Sequence, residues 1–278
     1  NLAAGGDLNG DGKFKIGFYG TTSAGAGTGF AAGIRAALDA LQLPTAPILE
    51  EVYSPATLDP NTYNFAADLA MLTDNKDQAT GMVDGYPDVI MIITFPQYNA
   101  AIVKAYLNGG NTIPLLQTHT ARFYSTLVAA GGVFEGQEGT SPTVLDNGSS
   151  GSVFATAYKD MTGVAPEYLD ANTYDSAMLI MLAAVAASKG LADPTQVTGA
   201  QIRDALRQIN APRGTIVRTG PEEFAKAVTL IEAGTAINYE GASGPVDFDA
   251  NLNIIDRVAH WQVVNKQYVE VEKYDCVA

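Results

Sequence analysis

The feature that most restricts how this chain folds is the run Asp88-Val89-Ile90-Met91-Ile92-Ile93. A continuous apolar run of this length, instead of an alternating one, marks a strand buried on both faces. Such strands belong to parallel sheets, whose crossovers put helices on either side. The neighbouring segments supply them. Lys13-Phe14-Lys15-Ile16-Gly17-Phe18-Tyr19 alternates and reads as a strand, followed by a small-residue turn and a helical pattern over Phe30–Leu41. Ile48–Tyr53 reads as a second strand. In Asn64–Thr73 the residues Phe65, Leu69 and Leu72 share one helix face. Ala100–Leu107 predicts the next helix and Ile113–Gln117 a short strand, joined by Gly/Pro/Asn connections. Strand and helix alternate, so the fold class is α/β.

After the polar loop Asp146–Gly151 the pattern changes. Ser152–Met161, Asn172–Ser188 and Thr198–Asn210 are three successive helical segments, and from Val246 the chain returns to strands at Asp256–Val264 and Gln267–Lys273. A chain that leaves a sheet and comes back to it predicts two lobes sharing crossovers. The 278 residues are ample for that.

Charge excludes one class of partner. Sixteen Lys+Arg against 30 Asp+Glu leave a net charge of -14, with no basic footprint for a phosphate backbone, so nucleic acid is not a partner. No stretch approaches the about 20 apolar residues of a membrane span. Ala177–Ala187, the longest candidate, reads as a buried helix. No signal-peptide pattern is present. The single cysteine, Cys276, has no internal disulfide partner and joins no zinc-type cluster. It reads as an idle thiol, or as half of a bridge to chain not included here.

Three motifs carry candidate chemistry. Gly27-Thr28-Gly29-Phe30-Ala31-Ala32 is a formal G-x-G-x-x-A ahead of a helix, with Glu50 and Glu51 near the place of a ribose-binding acid. Seven residues, Gly20 to Ala26, separate it from the strand, whereas a dinucleotide turn is tight. A small-residue helix entry beside another ligand is the better reading. Asp7, Asn9 and Asp11 imitate the start of a calcium loop, but its twelfth position would be Phe18, which excludes an EF-hand. Asx-rich turns explain this stretch and Asp249-Ala250-Asn251-Leu252-Asn253, with adventitious Ca²⁺ at Asp7, Asn9 and Asp11 as the alternative. No metal or organic cofactor is otherwise expected. His260 alternates within a strand beside Trp261. His119 follows the strand Ile113–Gln117, where a parallel sheet places its ligand crevice, yet no nucleophile and base assemble around it. The chain is not read as an enzyme. Asn147-Gly148-Ser149 matches a glycosylation sequon in a loop that is polar anyway.

Ile237-Asn238-Tyr239-Glu240-Gly241-Ala242-Ser243-Gly244-Pro245-Val246-Asp247-Phe248-Asp249 resembles the late "Y-E-G-A-S-G-P-V-D-F-D" segment of the branched-chain amino-acid-binding family of ABC-transporter substrate-binding proteins. Asn172-Thr173-Tyr174-Asp175-Ser176-Ala177 resembles that family's "A-Y-D-A" helix start, and Phe95-Pro96-Gln97 its "Y-P-E" turn. Ile202–Leu206 and Pro221–Phe224 fit the same frame, and the match covers roughly residues 14 to 272. The resemblance implies the type I periplasmic-binding fold: parallel sheets flanked by helices in two lobes, the first lobe incomplete. On that frame residues 1–13 are a Gly/Asp-rich lead-in, 14–164 the second lobe, 165–244 the late helical part of the first, and 245–278 closing strands returning toward the second. The early part of lobe one has no counterpart, so a missing N-terminal segment or a companion chain is expected to complete it, along with any lipid anchor.

The resemblance further implies an extracytoplasmic, periplasmic-type component of an ABC uptake system. It would bind an amino acid, a small carboxylate or another polar solute in an interlobe cleft, and close by hinge motion for a membrane permease. Carried over, the second-lobe contacts fall on Thr22, Ser23, Ala24, Phe95, Thr118 and His119, and Thr94 would cap the helix entered at Pro96. Two positions depart from the family. Its amino-acid binders offer an aromatic in the first turn, where this chain has Ser23 or Ala24, and an acid for the ligand's ammonium, where it has His119. Alternative roles are a sensory or structural receptor-like descendant without transport and, on the glycines alone, an NAD(P)-binding oxidoreductase.

Overall fold

A computed structural model describes residues 6–23, 27–43, 46–144, 149–254 and 257–275. In chain order the elements begin β1 (Lys15–Thr21), α1 (Gly29–Ala40), β2 (Ile48–Ser54), α2 (Phe65–Leu72), β3 (Val89–Ile92), α3 (Pro96–Asn108), β4 (Leu115–Gln117), α4 (Tyr124–Ala130) and β5 (Glu138–Thr143). They continue α5 (Ser149–Thr162), α6 (Asp170–Ser188), α7 (Gly199–Ala205), β6 (Thr215–Arg218), α8 (Pro221–Glu232), β7 (Ile237–Glu240), β8 (Arg257–Val264) and β9 (Gln267–Asp275). Contacts divide the chain into two compact units: unit 1 is the chain to Ser141 with His260–Glu272, and unit 2 is Pro142–Ala259 with the chain from Lys273.

Unit 1 is built on a seven-stranded sheet of order β2-β1-β3-β4-β5-β8-β9. The pairs β1/β2, β1/β3, β3/β4 and β4/β5 are parallel. Strand β1 lies between two neighbours and is buried at all seven positions, although its sequence alternates. The reason is that both faces are covered. Phe14, Ile16 and Phe18 pack with Ala31 and Leu38 on the α1 side, while Tyr19, Ile90 and Ile92 pack with Phe65, Leu69 and Leu72 of α2 and with Ile102 and Val103 of α3. The buried position that sequence alternation assigns to solvent, Lys15, is neutralised by Glu50 and by Asp84 at 2.8 Å. At the far side the turn Asn265-Lys266, with φ of 54° and 60°, joins β8 to β9. Its two backbone N–H groups donate to the Glu135 carboxylate at 2.7 and 3.0 Å, which offsets the cost of two non-glycine residues in the left-handed region.

Unit 2 holds the parallel pair β6/β7 and a core of α6, α7 and α8 side chains. Helix α6 buries Met178, Leu179 and Leu182, yet Ile180 and Met181 on the same helix are exposed. Helix α5 packs Phe154 against Ala171 and Ala242, and Ser150 Oγ donates to the Glu240 carbonyl at 2.9 Å. The helix expected to run from Thr198 to Asn210 is capped by a Thr198/Gln201 capping box but ends at Ala205. There the chain tightens into a 3₁₀ turn, Leu206–Gln208, that lets Asn210 bridge to Asn238. Among the described residues no helix is long and apolar enough to cross a membrane.

Candidate functional site

Parallel strands all deliver their carboxyl ends to one edge of the sheet, and three such ends in unit 1 carry the predicted binding residues. Thr22 and Ser23 follow β1, Phe95 follows β3, and Thr118 and His119 follow β4. Ala24 lies outside the described residues, as do Cys276, the Asn147-Gly148 part of the sequon and Asp256.

The turn after β1 is organised by its own hydroxyls. Thr21 Oγ1 and Ser23 Oγ are 3.0 Å apart, Thr22 N–H donates to the Ser54 carbonyl at 2.9 Å, and Thr22 Oγ1 accepts from Ala56 N–H at 3.0 Å. Gly27 N–H then donates to the Ser23 carbonyl at 3.1 Å, and a Cβ at Gly27 would overlap the Thr21 carbonyl oxygen. The first glycine of the G-x-G-x-x-A is thus required by contact with the strand end. The acids of that motif are also engaged: Glu50 pairs with Lys15, and Glu51 with Arg35 and the Tyr53 hydroxyl. Replacing Gly27 by alanine is expected to displace this turn, lowering Tm by several degrees and removing any solute-induced thermal shift. An alanine variant with wild-type values in both measurements would contradict the assignment.

Thr94 does not cap α3. The N-cap is Phe95, in extended conformation, with Pro96 as first helical residue. Thr94 is fully buried, and its Oγ1 donates to Asn99 Oδ1 at 2.9 Å. Phe95 is half-buried and meets Tyr98 edge-on, ring centroids 6.0 Å apart.

After β4, Thr118 is buried and its Oγ1 lies 3.4 Å from the Ile92 carbonyl and 3.1 Å from Thr120 Oγ1. His119 opens a 3₁₀ turn, and its ring lies 6.2 Å from that of Phe30, at the start of α1. Burial pushes the His119 imidazole below the ordinary histidine value, so the ring is neutral at pH 7. The far side of the turn is anchored too. Arg122 donates to Ser141 Oγ and to Glu270 Oε1, each at 2.7 Å, and the Tyr268 hydroxyl donates to the Ala121 carbonyl at 2.5 Å.

The three loops therefore present hydroxyls, two phenyl rings and a neutral imidazole, with no Asp or Glu from 20 to 30, 93 to 98 or 118 to 123. Neither α1 nor α3 has an acidic residue in its first turn. Helix α3 thus brings its positive end to this edge with no acidic residue in its first turn. The sequence pattern does not single out Phe30 or Asn99 as site residues. Phe30 has only its place at a helix start as a signal, and Asn99 is a polar residue on a helix face otherwise formed by Ile102, Val103 and Tyr106.

The Asx stretches are self-satisfied turns. Asp7 Oδ1 accepts from Gly10 and Asp11 N–H and its Oδ2 from Gly12 N–H, Asn9 Oδ1 accepts from Asp11 N–H, and Asp11 Oδ1 accepts from Lys13 N–H. Asp249 Oδ1 accepts from Asn251 and Asn253 N–H. Among the described residues no group of three or more His, Cys, Asp or Glu is placed to hold a metal. His260 sits on β8 with Nε2 3.0 Å from Glu138 on β5.

The fold has known counterparts. A leucine-binding protein, LivK, from Thermotoga maritima superposes over 98% of this chain and 64% of its own, with TM-score 0.63 at 17% identity. This is the type I periplasmic-binding fold. The substrate-binding protein LivJ from Streptococcus pneumoniae, in complex with isoleucine, superposes over 98% of this chain with TM-score 0.59 at 16% identity. A solute-binding protein of an ABC transporter from Rhodopseudomonas palustris, in complex with benzoate, covers 99% with TM-score 0.60 at 15% identity. The chain spans 64% and 63% of those two structures. In sequence, 96 residues, 34% of this chain and 21% of the relative, are 38% identical to the chemotactic signal transduction system substrate-binding protein BasB of Halobacterium salinarum. No family model matches the sequence. The structural relatives are thus branched-chain amino-acid and related ABC-transporter substrate-binding proteins.

Proposed function

We propose that the protein is a non-catalytic solute-binding component of an ABC-type uptake system, acting outside the cytoplasm and delivering its solute to a membrane permease. The observation that carries this reading is the convergence of the β1, β3 and β4 loops at one sheet edge, with hydroxyls, Phe95 and the largely buried His119. The solute class follows from charge. The N-terminus of α3, with no acid in its first turn, favours a carboxylate, while an α-ammonium finds no acid on the three loops and would lose its hydration without a charged partner. A small carboxylate without an ammonium group is therefore the preferred solute, ahead of an amino acid. The sequence match to a chemotactic binding protein favours sensing as the second reading.

A thermal-shift panel of leucine, isoleucine, benzoate and 3,4-dihydroxybenzoate tests this. A solute at about 100 times its Kd stabilises by about 2.7 kcal/mol. The aromatic carboxylates are expected to shift Tm more than the amino acids, and His119→Ala is expected to weaken binding about tenfold or more, the loss of one buried contact. Equal calorimetric affinity of wild type and His119→Ala for a bound solute would overturn the site. A response confined to the amino acids would overturn the solute class.

A further inference from the structure

We propose that Asn99 is the positioning residue that ties the His119 turn to the Phe95 loop and so sets the geometry of the binding edge. The role assigned to that edge rests on the function proposed above. Asn99 is fully buried on α3, on the face shared with Ile102, Val103 and Tyr106. A carboxamide there is costly unless both of its ends are bonded. Both are. Its Oδ1 accepts from Thr94 Oγ1 at 2.9 Å, and its Nδ2 donates to the Thr120 carbonyl at 2.9 Å. Thr94 directly precedes Phe95, and Thr120 directly follows His119. One planar group thus spans two loops, at Thr94 and Thr120, that are 26 residues apart in sequence and that each carry a binding residue.

The other anchors of the turn lead elsewhere. Arg122 and Tyr268 tie it to β5 and β9, and Thr118 Oγ1 reaches the Ile92 carbonyl inside β3. Only Asn99, among the described hydrogen bonds, joins the turn to the residue beside Phe95. The two bonds need a donor and an acceptor on one group of this size. Leucine offers neither, and an aspartate anion sets a negative oxygen against the Thr120 carbonyl. A protonated aspartic acid does offer both, its O–H donating to Thr120 and its carbonyl accepting from Thr94.

The test reads His119 by NMR, which is direct because the chain has two histidines and His260 is the internal control. In Asn99→Leu the turn is expected to loosen and hydrate His119, moving its titration up toward the ordinary value of about 6.5. The His260 ring resonances should stay in place. In Asn99→Asp the buried acid is expected to remain protonated at pH 5 and ionise by pH 8. The turn it bonds carries His119 and Arg122, the latter paired with Glu270, and the one charged residue of α3 is Lys104, whose Nζ donates to the Ala129 carbonyl. Compared with wild type at the same pH, His119 resonances should coincide at pH 5 and diverge at pH 8. A folded Asn99→Leu with wild-type His119 titration would overturn the proposal. If that variant does not fold, an Asn99→Asp variant that matches wild type at both pH values, or at neither, would do so instead. The readout needs no solute, so it stands or fails separately from the binding role.

Discussion

Replacing Lys15 by methionine is expected to destabilise unit 1 by about 3–5 kcal/mol, the usual cost of removing one partner from a buried ion cluster. Lys15 is fully buried in the central part of the sheet. Its ammonium contacts the Glu50 carboxylate, Asp84 at 2.8 Å and the Lys76 carbonyl at 3.4 Å. Glu50 also accepts from Gln78 N–H at 3.0 Å, so the cluster fastens the segment carrying Lys76, Gln78 and Asp84 onto β1 and β2. Without Lys15, the buried Glu50 and the partly buried Asp84 remain with no cation. Burial, the largest single influence, pushes the ammonium down, but Asp84 and Glu50 more than offset it and hold the group above its ordinary value of 10.5. A raised folded value means that the ammonium's contribution is complete below pH 10.5 and is lost only as pH rises through the still higher folded value. The deficit of the variant is therefore expected to shrink in strong alkali, where Lys15 loses its proton, and in acid, where the two carboxylates gain theirs. The single tryptophan, Trp261, is fully buried in unit 1 and reports the transition in denaturant. At about 2–4 °C per kcal/mol, Tm should fall by about 10 °C. A variant within 1 kcal/mol of wild type would mean that the cluster contributes nothing net. Removing all three charges together should recover much of the loss, because it eliminates the uncompensated carboxylates as well.

Lys15 also shows where reading the sequence stops. Alternation in Lys13–Tyr19 correctly marks a strand but assigns Lys15 to solvent, because periodicity carries no information about a partner 35 or 69 residues away. Where burial is purely apolar the reading is direct: Phe65, Leu69 and Leu72 face the core as their spacing requires, and Ile90 and Ile92 are fully enclosed. Strand β5 is the opposite case. Glu-Gly-Thr-Ser-Pro-Thr has few of the residues that favour strands, and it pairs because β4 and β8 stand on either side of it. Gly139 is required there, since a Cβ would lie 2.5 Å from Trp261 Cζ2. For the proposed binding edge, the family resemblance points to Thr22, Ser23, Phe95, Thr118 and His119, and all five follow the carboxyl ends of β1, β3 and β4. Asn99 is not legible in the same way, because its role depends on which turn lies opposite α3, and only the folded sheet determines that.

Replacing Asp175 by alanine is expected to destabilise unit 2 by a comparable about 3–5 kcal/mol, and the reason links the two sequence segments that resemble the binding-protein family. Asp175 lies on α6 and is 2% exposed. Its Oδ1 accepts from the Tyr239 hydroxyl at 2.7 Å and Ala242 N–H at 2.8 Å, and its Oδ2 accepts from Ser243 N–H at 2.7 Å and Ser243 Oγ at 2.6 Å. The Tyr-Asp-Ser-Ala and Tyr-Glu-Gly-Ala-Ser-Gly stretches are thus two halves of one clamp. Gly241 belongs to it because a Cβ would collide with the carboxylate. Burial and the adjacent carboxylate hold the Tyr239 phenol far above its ordinary value, so it remains a donor at any working pH. Alanine leaves four donors without their acceptor in a largely buried site, each costing about 1–3 kcal/mol before the segment relaxes. Asparagine keeps one acceptor oxygen but turns an N–H₂ group toward Ser243 N–H, so Asp175→Asn should fall between alanine and wild type. Hydrogen exchange separates these outcomes locally: amides of 237–246 are expected to lose protection in the order wild type, asparagine, alanine. Equal protection in wild type and Asp175→Ala would show that the β7 segment is held by apolar packing, and that the acid shared by the two motifs has no structural role.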